Sequence, residues 1–196
     1  MANVDRMNGF TPVRHLNGTP WNGKATMYYI DVTNTPAIFK GDAVVSAGSA
    51  DATGKYASIN QAAAGENIRG VVIGFSDQPY LAADTSNLYR NYCPALTEMY
   101  ALVVDDPDVI FEIQEDNAVN DLAITEIGLS ANITVGTGDT STGKSGMELD
   151  SSDTGTDTTG QLKILGVSNK EDNALGTYCK WDVLILEHEL RSTTDV

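Results

Sequence analysis

The string Gly138-Asp139-Thr140-Ser141-Thr142-Gly143-Lys144-Ser145 has the spacing of a P-loop, whose backbone N–H groups cradle phosphates while the lysine reaches the terminal ones. Upstream, Tyr100-Ala101-Leu102-Val103-Val104-Asp105-Asp106 resembles an apolar strand ending in a magnesium-binding acid. Together the two would suggest a nucleotide hydrolase. The context opposes it. A working P-loop is delivered by a buried strand and followed by a helix N-terminus. The residues after Ser145 are Gly146-Met147-Glu148-Leu149-Asp150-Ser151-Ser152-Asp153, mostly types that favour turns and caps over helix. Asp150, Asp153 and Asp157 would also repel phosphate. A segment rich in Gly, Ser and Thr needs only one lysine to fit the string, so composition accounts for the match.

Other chemistry is sparser. Asp105, Asp106 and Asp108 sit in one turn and Asp150, Asp153 and Asp157 in another, offering the hard oxygens that calcium takes, but without EF-hand spacing. They read as solvated turn aspartates. The two histidines, His15 and His188, and the two cysteines, Cys93 and Cys179, show no zinc-ligand spacing and no nucleophile elbow accompanies them. Glu187 and Glu189 flank His188 at a strand end, and a paired-carboxylate glycosidase would need an aromatic-lined cleft around such a pair. Tyr28, Tyr29, Tyr89, Tyr92 and Tyr100 have no basic residues interleaved, so they do not outline a nucleic-acid stacking platform. Trp181 reads as core. No catalytic, metal-binding or cofactor-binding residue is assigned, and the expectation is a protein that is not an enzyme.

The elements that position these residues are strands. The chain has 196 residues, 41% of them hydrophobic, enough for a core without staples. Its formal net charge of −15 disfavours nucleic-acid partners and suits either solubility or docking on a basic partner. Two distant cysteines do not suggest a disulfide scaffold, and two reduced thiols are expected. Residues 1–9 carry no apolar signal-peptide core, and no apolar run reaches the length that spans a bilayer, so no membrane partner is expected.

Strands are predicted over 26–30, 37–45 with a Gly41-Asp42 turn, 68–75, 98–104, 109–115, 130–135, 161–167 and 178–186. Within 109–115, Phe111 and Ile113 alternate with Glu112 and Gln114, the pattern of a half-buried strand. Helical patterns are short, at 60–66 and 116–122. The fold class is therefore all-β: an antiparallel β-sandwich or barrel, jelly-roll-like, forming one domain over 25–196. Residues 1–24 read as an extended N-terminal arm with anchors Phe10, Val13, Leu16 and Trp21, lying on its own domain or on a neighbour. Residues 136–160 are almost wholly Gly, Ser, Thr and Asp and read as a long exposed loop. A sharper reading has Met147 and Leu149 add a short strand to another subunit.

The opening run Gly9-Phe10-Thr11-Pro12-Val13-Arg14-His15-Leu16-Asn17-Gly18-Thr19-Pro20-Trp21-Asn22-Gly23 resembles the start of a family of tailed-bacteriophage virion proteins. The runs Val109-Ile110-Phe111-Glu112-Ile113-Gln114-Glu115-Asp116, Ser145-Gly146-Met147-Glu148-Leu149-Asp150, Ile164-Leu165-Gly166-Val167, Ala174-Leu175-Gly176 and Lys180-Trp181 are similar to later segments of the same family, in order. The resemblance implies a capsid decoration (cement) protein, a homo-oligomer (trimer or dimer) bound to the major capsid protein. It would be made in the host cytoplasm and reside on the capsid surface of the virion. No catalytic residue is implied. Interface candidates on this reading are Phe10, Val13, Arg14, Leu16, Trp21, Met147 and Leu149. The alternatives are a tail-tube or other virion component and, in another class, a carbohydrate-binding module.

Overall fold

The computed structural model describes residues 3–78, 90–116, 121–155 and 160–191. Numbered along the chain, the first strands are β1 (Thr11–His15), β2 (Thr26–Ile30), β3 (Ile38–Phe39), β4 (Ala43–Ala50), β5 (Ala57–Gln61), β6 (Gly70–Ser76) and β7 (Tyr92–Cys93). The rest are β8 (Met99–Val104), β9 (Val109–Gln114), β10 (Ser130–Asp139), β11 (Lys144–Gly155), β12 (Leu162–Val167) and β13 (Lys180–Ile185).

They build two β units. A closed barrel runs β2-β5-β4-β6-β8, with β8 pairing back onto β2. All its pairs are antiparallel except β2–β5. A six-stranded antiparallel sheet runs β1-β9-β13-β12-β10-β11, and β3 and β7 form a small ribbon. The sheet curls, because Leu149 of β11 bridges Glu115 just past the end of β9. The barrel comes from one stretch of chain, whereas the sheet combines β1 from before that stretch with five strands from after it.

The barrel strands contribute to two cores by simple alternation. Val44, Val72 and Val103 face the barrel interior with Ile30, Ile59 and Phe75, while their neighbours Ala43, Val71 and Val104 turn outward. That outward face packs on Phe111, Ile133, Met147 and Trp181 of the sheet, so one apolar cluster joins the units. The Asp105–Asp108 turn is the crossing from β8 in the barrel to β9 in the sheet.

The all-β sandwich-or-barrel expectation holds, with 49% strand against 2% helix. Several finer expectations change. Of the 60–66 helical pattern, Asn60 and Gln61 end β5 and the remainder is irregular, with a turn at Ala64-Gly65. In the 116–122 pattern, residues 117–120 lie outside the described residues, and Asp116, Asp121 and Leu122 are not helical. Among the described residues, the single helical element is a 3-10 turn at Ile124–Glu126. Of the expected loop at 136–160, residues 156–159 lie outside the described residues, and 136–155 are not a loop: β10 and β11 form a hairpin in the sheet. Ser145, Met147 and Leu149 alternate inward there, giving the strand a buried face despite its turn-rich composition. Nor is β9 half-buried. All six of its residues are buried, because β1 and β13 pair with it and the N-terminal segment and residues 168–170 cover Glu112 and Gln114.

Candidate interface along the N-terminal segment

Of the stretch expected as an arm, residues 3–24 lie on the chain's own domain, doubling back at a turn after β1. Asn3 Nδ2 donates to the carbonyls of Ala174 (2.7 Å) and Thr177 (2.9 Å), and its Oδ1 accepts from the Ala174 N–H (2.9 Å). Gln114 Oε1 accepts from the Arg6 N–H (3.0 Å), while its amide donates to Asp5 (3.1 Å) and Glu148 (3.3 Å). Gly9 then crosses Gly41, where the Phe10 N–H meets the Gly41 carbonyl at 2.9 Å. Gly9 has φ +61°, and a Cβ there would fall 2.4 Å from that carbonyl oxygen, so glycine alone fits the crossing. The crossing delivers Phe10 into the shared core.

Past Phe10, β1 pairs with β9 around a bulge. Pro12 faces Phe111 and Arg14 faces Ile110, leaving Val13 as the extra residue, 39% exposed. A bulge re-aims side chains in this way. Leu16 is 51% exposed. Arg14 pairs with Asp182 of β13 at 3.2 Å. The outer edge of β1 is partly covered by its own return, since the Trp21 N–H donates to the Val13 carbonyl (3.3 Å) and the His15 N–H to that of Thr19 (2.8 Å). Trp21 is half-buried against the core, with its indole N–H on the Lys24 carbonyl (3.3 Å).

The seven interface candidates therefore divide. Val13 and Leu16 are presented to solvent, with Arg14 between them in sequence, and Trp21 supports the return. Phe10, Met147 and Leu149 are corrections: all three are buried in the chain's own core, Phe10 through the Gly9–Gly41 crossing and the other two on the inward face of β11, a strand the composition did not announce.

The P-loop string forms the tip of the β10–β11 hairpin, with no helix after it. Asp139 shapes the tip: Oδ1 accepts from the Ser141 N–H (2.8 Å) and hydroxyl (2.6 Å), and Oδ2 from the Thr142 hydroxyl (2.9 Å). These bonds hold its carboxyl down at about 2. The acidic turns are likewise engaged internally. Asp105 accepts from Thr26 (2.9 Å) and Tyr28 (2.8 Å), Asp106 faces His15 at 3.4 Å, and Asp108 pairs with Arg191. Asp150 accepts from Ser152, and Asp157 lies outside the described residues, as does Tyr89. Among the described residues, no group of three or more His, Cys, Asp or Glu side chains could hold a metal ion. Cys93 and Cys179 are free and buried, and burial pushes both thiols up to about 12. Cys93 Sγ contacts the Thr97 carbonyl (3.4 Å), while His15 faces Asp106.

The surroundings of three polar groups were not anticipated from the sequence. Glu115 is fully buried and accepts from the N–H groups of Leu122 (3.0 Å), Cys179 (3.4 Å) and the Trp181 indole (3.1 Å). The signal was phase: Glu115 follows Phe111 and Ile113 on the inward face. His188 is fully buried, accepting from the Leu190 N–H (3.1 Å). Lys40 faces Lys144 across a parallel bridge, a long-range pairing without a local signature.

No protein-family model, no curated protein and no solved structure matches the chain.

Proposed function

We propose that this chain is a structural protein of a tailed-phage particle, a decoration protein that seats on the outside of the head and stabilises it through its interfaces. The observation that carries this reading is the bulged strand β1. It presents Val13 to solvent beside a tethered Arg14, Leu16 is exposed in the turn just past its end, and Phe10 just before it fixes the strand in the core. Apolar side chains on a rigid edge are suited to a protein interface. The segmental resemblance to virion proteins supports the same reading. Many copies on one shell multiply a modest contact, and a charge of −15 keeps unbound copies apart and favours a basic seat.

The test is reconstitution. Purified protein is added to phage heads that lack it, bound copies are located by cryo-electron microscopy, and head survival on heating is measured. The expected result is binding to the outer surface and survival at higher temperature. The double variant Val13→Asp, Leu16→Asp should lose binding while keeping its own melting temperature. Failure of the unmodified protein to bind overturns the proposal, and assembly into stacked rings or tubes replaces it with a tail-tube role.

A further inference from the structure

Lys40 and Lys144 occupy facing positions of a parallel bridge that ties the β3–β4 corner to the β10–β11 hairpin. The Lys40 N–H donates to the Gly143 carbonyl (3.0 Å), and the Ser145 N–H to the Lys40 carbonyl (2.9 Å). Facing residues of paired strands project to the same side, and like charges placed there repel. Neither lysine has a salt-bridge partner among the described residues, in a chain whose acids outnumber its Lys and Arg 27 to 12. Asp139 stands opposite Lys144 in the hairpin register, but both its oxygens are taken by the turn.

Both lysines line one groove of about 250 Å³ between the N-terminal segment and the barrel. Pro12 and Ile73 contribute its accessible apolar lining, with the buried Phe10 and Val72 behind them, and Asn8 and Thr142 add polar groups. Two uncompensated cations on one side and an apolar floor on the other define a ligand with both characters. The volume falls below the ~300–1,000 Å³ of small-molecule pockets and suits one or two side chains.

We propose that this groove docks a peptide segment of a partner chain that carries a carboxylate next to an apolar side chain. The carboxylate bridges the ammonium groups of Lys40 and Lys144, relieving their repulsion, and the apolar group rests on Pro12 and Ile73. The inference rests on the interface reading for the source of the segment. Its chemistry is tested without phage heads, so that either can fail alone.

The experiment is a titration of the isotope-labelled full chain, followed by backbone amide NMR, with two blocked tetrapeptides, Gly-Leu-Asp-Gly and Gly-Leu-Asn-Gly. The aspartate peptide should shift the amides of Phe10, Lys40, Thr142 and Lys144 and bind at least about fivefold more tightly than the asparagine peptide. Raising the salt from about 0.05 M to about 0.5 M should weaken it. Lys40→Gln and Lys144→Gln should each weaken binding, and the double variant should abolish it, with the remaining amide spectrum unchanged to confirm folding. If either variant fails to fold, the salt dependence and the peptide comparison on the unmodified chain decide alone. Equal binding of both peptides, shifts confined to other surfaces, or no shifts overturn the proposal. So does an equal response to sodium sulfate, which would mean an adventitious ion only.

Discussion

Phe10 meets Phe111 edge to face, with ring centroids 5.9 Å apart and planes at 86°. The pair sits where β1 begins to zip onto β9, so it joins the segment before the barrel to the first strand after it. Phe10→Ala should cost about 3–5 kcal/mol, the range for deleting a core phenylalanine. Urea unfolding would measure it. Hydrogen exchange should show the amides of 11–15 losing protection before those of the barrel. A uniform loss across the chain would contradict the local anchoring.

Glu148 gives a pH signature. Burial, reinforced by the negative charges of Asp5 and Asp116, raises its carboxyl to about 7 from 4.5, against a smaller lowering by the Gln114 amide. The folded chain thus holds a proton that the unfolded chain releases, and the associated stability is present below 4.5 and lost as the pH rises through 7. Glu148→Gln should therefore match the unmodified protein near pH 4 and exceed it by about 1–2 kcal/mol at pH 8, a range reduced for partial solvent screening. Denaturation of both proteins across that range checks the sign.

His188 works in the opposite direction. Burial, with the positive charges of Arg69 and Arg191 adding to it, lowers its imidazole to about 4 from 6.5, despite opposing contributions from Asp105 and Glu189. The unfolded chain takes up the proton first, so stability is intact above 6.5 and falls as the pH drops toward 4. The loss from this residue should be about 2–3 kcal/mol. A variant such as His188→Gln should show a flatter acid limb, and an unchanged limb would remove His188 from the account.

Glu115 is a structural acceptor. Its carboxyl is raised chiefly by burial, while the Leu122, Trp181 and Cys179 donors pull it back. Glu115→Ala would leave the Leu122 N–H and the Trp181 indole N–H without their acceptor, while the Cys179 N–H keeps the Gly176 carbonyl at 3.0 Å. It should cost about 2 kcal/mol or more, since each orphaned donor carries its own desolvation penalty. Glu115→Gln keeps an acceptor and should cost clearly less. Intrinsic fluorescence of Trp181 during unfolding reports on the same site.

What was legible in the sequence followed local alternation and apolar clustering. Trp181, Val183 and Ile185 marked β13, and the topology places that strand centrally between β9 and β12. What was missed depended on partners far along the chain. β11 has few apolar residues, and only its pairing with β10 and its bridge to Glu115 give Met147 and Leu149 a buried destination. Glu112 and Gln114 looked solvent-facing because nothing nearby in sequence announces that residues 3–6 and 168–170 return to cover them. For the interface, β1 lay within a stretch broken by Pro12 and Pro20. The bulge that separates Val13 from the inward-facing Phe10 becomes visible only through its register with β9.

The strand order also sets a timetable. The barrel strands lie within residues 26–104, so on the ribosome they can close as soon as that stretch has emerged. The sheet cannot, because β13 occupies the place between β9 and β12 and is the last strand made. Until it arrives, Phe10 lacks its finished site, and Ile68, Val71 and Val104 remain an uncovered apolar face on a closed barrel. Nascent chains should therefore be most prone to aggregate in that interval.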